Sequence, residues 1–269
     1  MSLINVGICG ASGRMGKALV NAVTNNDNLK LVAALEQKDN KNIGKDAGEV
    51  AGCGKLEVPI LADETEFFSK SDGVIDFTIA AASVNNIKLA SEFQCSYVLG
   101  TTGFDSEQLK IIENLSKEVP MVCSANMSIG VNVILHYAKM MAKNLGEDYD
   151  AEIFEIHHND KIDSPSGTAL ALGKAIAKGR EIELEDNLVK GRWGTEDRRK
   201  KGVIGFSTAR GGDVIGDHTV TFAGIGERIE LSHKAGNRDI FANGALKALL
   251  WIKDQPPGFY SMADVLGLS

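Results

Sequence analysis

Residues 155 to 176, EIHHNDKIDSPSGTALALGKAI, place His157, His158 and Lys161 just ahead of a Pro-Ser-Gly-Thr turn that opens a helical pattern. Imidazole and ammonium groups are the side chains that move protons or hold negative charge near neutral pH. Adjacent residues on a strand face opposite ways, so His157 and His158 do not converge on one metal unless the strand ends there. No HExxH or other His/Cys spacing supports zinc, and no metal site is expected. A lone histidine near a strand end is often a structural group, but here Lys161 and a helix start follow at once. Asp163 or Ser164 is placed to cap that helix, with Pro165 in its first turn. Ser166, Gly167 and Thr168 then offer amides at a helix N-terminus, which suits a carboxylate or phosphate. Hydride transfer to an unsaturated or imine-like carbon builds negative charge that must be protonated, and a lysine or histidine beside a bound carboxylate does that work.

A source of hydride is suggested upstream. In GICGASGRMG, Gly10, Gly13 and Gly16 follow an apolar strand and open a helix, the context that makes a glycine pattern a dinucleotide fingerprint. The first glycine permits the tight turn, the second lets backbone approach a pyrophosphate, and the third allows close helix–strand packing. Glu36 stands 20 residues after Gly16 at the end of the next apolar run, where an acid binds the ribose hydroxyl pair. A carboxylate repels a 2′-phosphate, so NADH is favoured, while the neighbouring Lys38 keeps NADPH open. GTTGF (100 to 104) and SANMSIGVN (124 to 132) follow two further strands, and loops at the carboxyl ends of parallel strands are where the nicotinamide should lie.

These groups need a frame. INVGIC, KLVAALEQ, GVIDFT, SYVLGTTG and PMVCSAN read as five strands of near-continuous apolar character, with helical patterns between them, as in a parallel sheet covered on both faces. That alternation implies a doubly wound α/β, Rossmann-type domain with right-handed crossovers. From about residue 127 the pattern changes to a long helix over 131 to 145, a strand DAEIFEIHH, and short β-rich runs separated by Gly-Gly-Asp, Gly-Asp and Gly-Ile-Gly-Glu, punctuation that reads as hairpins in a mixed or antiparallel sheet of an α+β domain. RDIFANGALKALLWIKDQ returns to helix.

Composition sets limits on partners. The 269 residues are 43% hydrophobic and 24% charged, with a net charge of −7, which argues against nucleic acid as a partner. No apolar run approaches the ~18 residues of a membrane span, and the N-terminus lacks the basic and small-residue flanks of a signal peptide, so the cytoplasm is the expected compartment. Cys9, Cys53, Cys95 and Cys123 are scattered and read as reduced thiols. The basic run KGRWGTEDRRKKG (190 to 202) reads as a solvated surface loop.

The segments GASGRMG, DFT, GTTG, SANMSIGVN, EIHHNDKIDSPSGTAL, ARGGDVIGDHTVTFAGIGERIELSHKA and FANGALKALLW occur in an order that resembles the dihydrodipicolinate reductase family along nearly the whole chain. The resemblance implies reduction of a small cyclic dicarboxylate, formed from aspartate semialdehyde and pyruvate, by NADH or NADPH on the diaminopimelate route to lysine. It implies Lys161 as proton donor and His157 as a second acid or charge-stabilising group. His158, Lys161, Gly167 and Thr168 would bind the substrate carboxylates. Gly10, Gly13, Arg14, Met15, Gly16 and Glu36 would hold the adenosine and pyrophosphate, and Gly100, Thr102, Ala125 and Met127 would surround the nicotinamide. Arg210 and His218 fall in a matching segment without an assigned role. The family's organisation places a dinucleotide-binding domain over 1–126 and 240–269 and a substrate-binding and oligomerisation domain over 127–239, joined as a homotetramer through its sheets. Three departures stand out: Met127 where relatives have an aromatic residue, Ile79 and Ala80 where a basic residue and a proline often follow DFT, and Gln37 in place of an arginine. The last two weaken the case for NADPH.

Other readings meet obstacles. A short-chain dehydrogenase needs Tyr-xxx-Lys, and no tyrosine here has lysine four residues on. A semialdehyde dehydrogenase needs a nucleophilic cysteine, for which Cys123 is the candidate, but no base is visible beside it. A non-enzymatic nicotinamide sensor would use the glycines and Glu36 but has no need of Lys161 beside an anion site.

Overall fold

Strands buried on both faces carry apolar residues at every position, and that is what the first segments do: β1 (Ile4–Cys9) is buried at all but one of its positions. The structure, a computed structural model, describes residues 3–268 except 193, 196 and 197. In order come β1, α1 (Arg14–Thr24), β2 (Leu29–Leu35), α2 (Ala47–Ala51), β3 (Ile60–Leu61), α3 (Glu64–Ser69), β4 (Gly73–Asp76), α4 (Ala80–Glu92), β5 (Ser96–Leu99), α5 (Ser106–Leu115) and β6 (Pro120–Cys123). Then follow α6 (Ile129–Leu145), β7 (Asp150–His157), α7 (Gly167–Arg180), α8 (Leu184–Asn187), β8 (Leu188–Lys190), β9 (Ile204–Arg210), β10 (Asp217–Ala223), β11 (Arg228–Lys234), α9 (Asp239–Ile252), β12 (Gly258–Tyr260) and α10 (Met262–Leu266).

The chain divides into two units, Met1–Ile129 with Arg238–Ser269, and Gly130–Asn237. The first contains a seven-stranded sheet in the order β12-β6-β5-β4-β1-β2-β3, parallel throughout. The order reverses direction at β1, which sits between β4 and β2, and such a switch point is where open α/β sheets bind ligands. Two layers of core cover its faces, one with Val20, Ile75 and Leu249, the other with Phe67, Tyr97 and Ile112. The five expected strands are present. The two others, β3 and β12, are two and three residues long, too short for a periodic signal.

The second unit contains a five-stranded mixed sheet, β11-β10-β7-β9-β8. β7 is its centre, antiparallel to β10 and parallel to β9. Among the described residues only β10 and β11 form a true hairpin, closed at Gly224 to Glu227. The Gly-Gly-Asp stretch, expected as a hairpin turn, instead carries the chain from β9 on one side of β7 to β10 on the other. Its backbone is tied to the end of β7, with the Gly211 N–H donating to the His157 carbonyl at 2.9 Å and the His158 N–H to the Val214 carbonyl at 2.7 Å. Along β7, alternate residues Ala151, Ile153, Glu155 and His157 are buried. The first two join a core with Leu172, Ile176, Phe206 and Phe222, so the same face that begins as aliphatic core ends in an acid and an imidazole.

The basic run is not merely solvated. Arg192 donates to Glu152 through both terminal nitrogens, at 3.1 and 2.9 Å, and Arg199 donates to the same carboxylate at 2.9 Å with its side chain only 18% exposed. This clasp pins the segment against β7. Residues 193, 196 and 197 of the run lie outside the described residues.

Candidate active site

The turn after β1 is shaped by backbone demands. Gly10 has φ +73°, a left-handed conformation that side chains resist. A Cβ on Gly16 would lie 2.1 Å from the carbonyl oxygen of Gly10, so only glycine lets α1 approach this closely. Gly13 is the N-cap of α1 and has no side chain to satisfy the first amides; Arg14 and Met15 form the first helical positions, Arg14 exposed and Met15 packed against the core. Glu36 accepts from the Ser12 N–H at 2.9 Å and from the Ser12 hydroxyl at 2.6 Å, both through Oε1. Its other oxygen makes no hydrogen bond among the described residues. A cavity of about 390 Å³ opens here, lined by Gly10, Gly13, Glu36, Gln37, Glu64 and Phe77 among others. The uncapped helix start, the closely packed glycines and a carboxylate with one oxygen unused fit a dinucleotide.

The floor of this region is braced by a buried acid. Asp76 at the end of β4 accepts from the Tyr97 hydroxyl at 2.5 Å, Asn86 at 3.0 Å, and the amide and hydroxyl of Thr78 at 2.8 and 2.7 Å. Burial, and then the neighbouring Asp76 charge, push the Tyr97 phenol well above its ordinary value, so it stays a hydrogen-bond donor. Thr101 joins the network through its hydroxyl, accepting from Thr78 N–H and Ser83, each at 2.9 Å. The ring of Phe77 lies so close to Gly100 that a Cβ there would come within 2.3 Å of it. Of the residues expected around a nicotinamide, Gly100 is thus locked in place, while Thr102 and Ala125 are exposed on the loops after β5 and β6. Met127 is elsewhere: at 1% exposure it packs in the core, its carbonyl against Gly244 of α9, so its side chain presents no face to a cofactor. Physical chemistry also disposes of Cys123 as a nucleophile, since burial pushes its thiol up to about 11.

In the second unit, α7 begins at least two residues later than its sequence suggests. Ser166, not Asp163 or Ser164, is the N-cap, and Pro165 stands before the helix rather than in its first turn. The reason is reach: the Ser166 hydroxyl accepts from the Ala169 N–H at 3.2 Å, while its own N–H donates to Glu155 at 3.1 Å. Gly167 and Thr168 are therefore the first two helical residues. Asp163 still serves this helix end: it accepts from Lys161 Nζ at 2.8 Å, and the nearby Gly167 amide favours its ionised form. The lysine contact, first of all, holds the Asp163 carboxyl below its ordinary value.

His157 ends β7 and is 7% exposed. Its Nδ1 is bonded to Glu155, its ring meets that of His218 edge-on at 5.0 Å, and His218 Nε2 is 3.0 Å from the Ser166 hydroxyl. Burial lowers His157 below the ordinary imidazole range, opposed by the Glu155 charge. Burial, helped by His157, His233 and Lys161, lowers His218 to about 3. Burial thus favours the neutral form of both rings. Arg210 donates to Glu155 at 3.2 Å and to the backbone carbonyls of Lys161 and Asp163 at 3.2 and 2.6 Å. His157, Lys161, Gly167 and Thr168 are thus gathered at one end of the unit. His158 lies half-buried just past the strand, with no side-chain hydrogen bond to the others among the described residues. Ligand-type atoms of Glu155, His157 and His218 lie within 4.8 Å of one another, but the Arg210 guanidinium already supplies the cation that the carboxylate faces. Glu155, the capping role of Ser166 and the roles of Arg210 and His218 escaped the sequence; the available signal was the i, i+2 spacing of Glu155 and His157 on one strand face.

A parallel nucleotide-binding sheet, coupled in one chain to a unit that gathers imidazole, ammonium and a helix end, defines a two-unit nicotinamide-dependent oxidoreductase. Comparison with known proteins narrows this. Residues 4–127 match the model for dihydrodipicolinate reductase, N-terminus, and residues 130–266 that for dihydrodipicolinate reductase, C-terminus. The 4-hydroxy-tetrahydrodipicolinate reductase of Rhodopseudomonas palustris (strain BisA53) is 47% identical over 268 residues, covering 100% of this chain and 98% of that one. The enzyme of the same name from Brucella abortus (strain 2308) is 49% identical over 263 residues, covering 97% and 98%. Among solved structures, a dipicolinate-bound dihydrodipicolinate reductase from Paenisporosarcina sp. TG-14 superposes with a TM-score of 0.78 at 26% identity, covering 97% and 98% of the two chains. The chain belongs to the dihydrodipicolinate reductase family.

Proposed function

We propose that this protein reduces 4-hydroxy-tetrahydrodipicolinate to tetrahydrodipicolinate with a reduced nicotinamide, in the diaminopimelate route to lysine. The observation that carries the reading to individual residues is the gathering of His157, Lys161 and the start of α7 at one end of the second unit, in a chain of this family. When bound, the nicotinamide supplies the hydride. The ring loses its 4-hydroxyl as water, and the resulting double bond takes up one hydride and one proton.

The chain's residues bind, orient and protonate. A substrate carboxylate at the Gly167 and Thr168 end of α7 takes the position that the Asp163 carboxylate holds, and this frees Lys161 Nζ to face the ring. Lys161 then delivers the proton as charge develops. His157, buried beside them with Nδ1 on Glu155, offers Nε2 as an acceptor that orients the Lys161 ammonium toward the ring, and His158 contributes to the second carboxylate. On the cofactor side, Gly10, Gly13, Arg14, Met15, Gly16 and Glu36 hold the adenosine and pyrophosphate, with Gly100, Thr102 and Ala125 toward the nicotinamide. NADH is preferred: two carboxylates, Glu36 and Glu64, line the cavity, and no lysine or arginine is among the described residues lining it. Homotetramer assembly through the second unit's sheet and a cytoplasmic location complete the reading.

The test is nicotinamide absorbance with purified protein, freshly generated cyclic substrate, and NADH or NADPH in parallel. Substrate-dependent oxidation, faster at low NADH than at low NADPH, is expected. Lys161→Ala should lower kcat by about 100-fold or more while leaving NADH affinity unchanged. Binding of both cofactors without oxidation of either would overturn the reading in favour of a sensor.

A further inference from the structure

We infer that Glu155 is the positioning residue of the substrate-side centre: it fixes the His157 imidazole with its proton on Nδ1 and, through Arg210, holds the loop that carries Lys161. The inference rests on the roles of His157 and Lys161 proposed above.

Glu155 occupies a position on β7 that would ordinarily be aliphatic. Ala151 and Ile153, at the preceding alternate positions, are core residues, and Glu155 is just as buried at 1% exposure. An acid is costly there unless every lone pair is used. Here both oxygens are engaged. Oε2 is bonded to His157 Nδ1, Oε1 accepts from the Ser166 N–H at 3.1 Å, and the Arg210 guanidinium donates to both oxygens at 3.2 Å. A carboxylate paired with a guanidinium accepts hydrogen bonds and donates none, so the proton between Glu155 and His157 belongs to Nδ1. Nε2 is then the nitrogen left to meet a ligand.

The same guanidinium reaches the loop. Its Nε donates to the Lys161 carbonyl at 3.2 Å and its NH2 to the Asp163 carbonyl at 2.6 Å. The imidazole, the cap of α7 and the lysine loop are therefore joined to one another through a single buried carboxylate. A side chain that merely filled this core position would touch none of the three. The charged and titratable groups facing His157 are Glu155 on its own strand, Arg210 from β9, His218 from β10 and Lys161 from the loop, and Glu155 is the sole acid among them.

The deciding measurement is the ¹⁵N spectrum of histidine-labelled protein at mildly alkaline pH, with the His157 signals assigned through His157→Gln. Protonated Nδ1 with unprotonated Nε2 at His157 is expected in the unsubstituted protein, and the opposite tautomer would overturn the inference. Glu155→Gln should mix the tautomers and lower kcat on the order of 10- to 100-fold with NADH affinity unchanged. An unchanged tautomer and an unchanged kcat in that variant would also sink it. If Glu155→Gln does not fold, the tautomer in the unsubstituted protein decides. Should that protein fail to oxidise NADH with substrate, the proposed function falls, and the tautomer still reports on Glu155 separately.

Discussion

The Lys161–Asp163 pair shows how one side chain is held back by another. Lys161 is 22% exposed and Asp163 59%, so their 2.8 Å contact adds little to stability. Its consequence lies in occupancy: the acid sits beside the start of α7 and on the ammonium at once, the groups that the proposed function assigns to the substrate. Asp163→Asn should therefore lower KM for the cyclic substrate several-fold, with the unfolding free energy changed by less than about 0.5 kcal/mol. Steady-state kinetics beside urea unfolding checks both halves, and a raised KM would show that Asp163 helps the ligand rather than competing with it. Glu36 follows the opposite logic, since Ser12 takes one of its oxygens and leaves the other unpartnered within the unit. Two residues here were open to sequence reading only in part. Thr102 was the natural choice in GTTG, but the adjacent Thr101 is the one whose hydroxyl enters the Asp76 network, and a two-residue repeat of threonine gives no sign of which faces inward.

At the scale of the element, α7 depends on Ser166 for two things. Its hydroxyl caps the helix at Ala169 and, among the described residues, is the one hydrogen-bond partner of the buried His218 ring, whose Nδ1 has none. Ser166→Ala removes a cap and leaves a buried imidazole unsatisfied at both nitrogens. A loss of about 2–4 kcal/mol is expected in urea unfolding, with Ser166→Thr retaining most of it. The strands and helices of the first unit were legible because buried parallel strands are continuous apolar runs, and GICGASGRMG marks the turn between the first strand and helix. The start of α7 was less so. Asp163, Ser164 and Ser166 are all competent caps within four residues, and only the three-dimensional reach of each oxygen selects among them. The passage from β9 to β10 was misread for a related reason: a Gly-Gly-Asp turn signals a change of direction, not which strand lies next to which. Glu155 was illegible because an acid in a strand reads as solvent-facing, and its burial is justified only by Arg210, 55 residues away in sequence.

For the molecule as a whole, the histidines set how folding responds to acid. In the folded protein burial holds His218 at about 3, against an ordinary value near 6.5, and lowers His157 and His233 as well. The unfolded chain takes up protons near pH 6.5 that the folded chain refuses, so stability is fully present above that pH and is lost as pH falls toward 3. Each such proton contributes a slope of up to about 1.4 kcal/mol per pH unit. The depressed carboxyls of Asp46 and Asp163 act in the same direction at lower pH, where protonation removes the advantage that ionisation gives the fold. A loss that begins below about pH 6.5, well above the carboxylate range, is thus the mark of the imidazoles. Urea unfolding at steps between about pH 8 and pH 5 should show the midpoint falling through this window, and His218→Asn should flatten the fall. An equal slope in that variant would mean that His218 takes up its proton in the folded state as readily as in the unfolded one. The neutral ring packed against His157 would then lose its place in the account of the site.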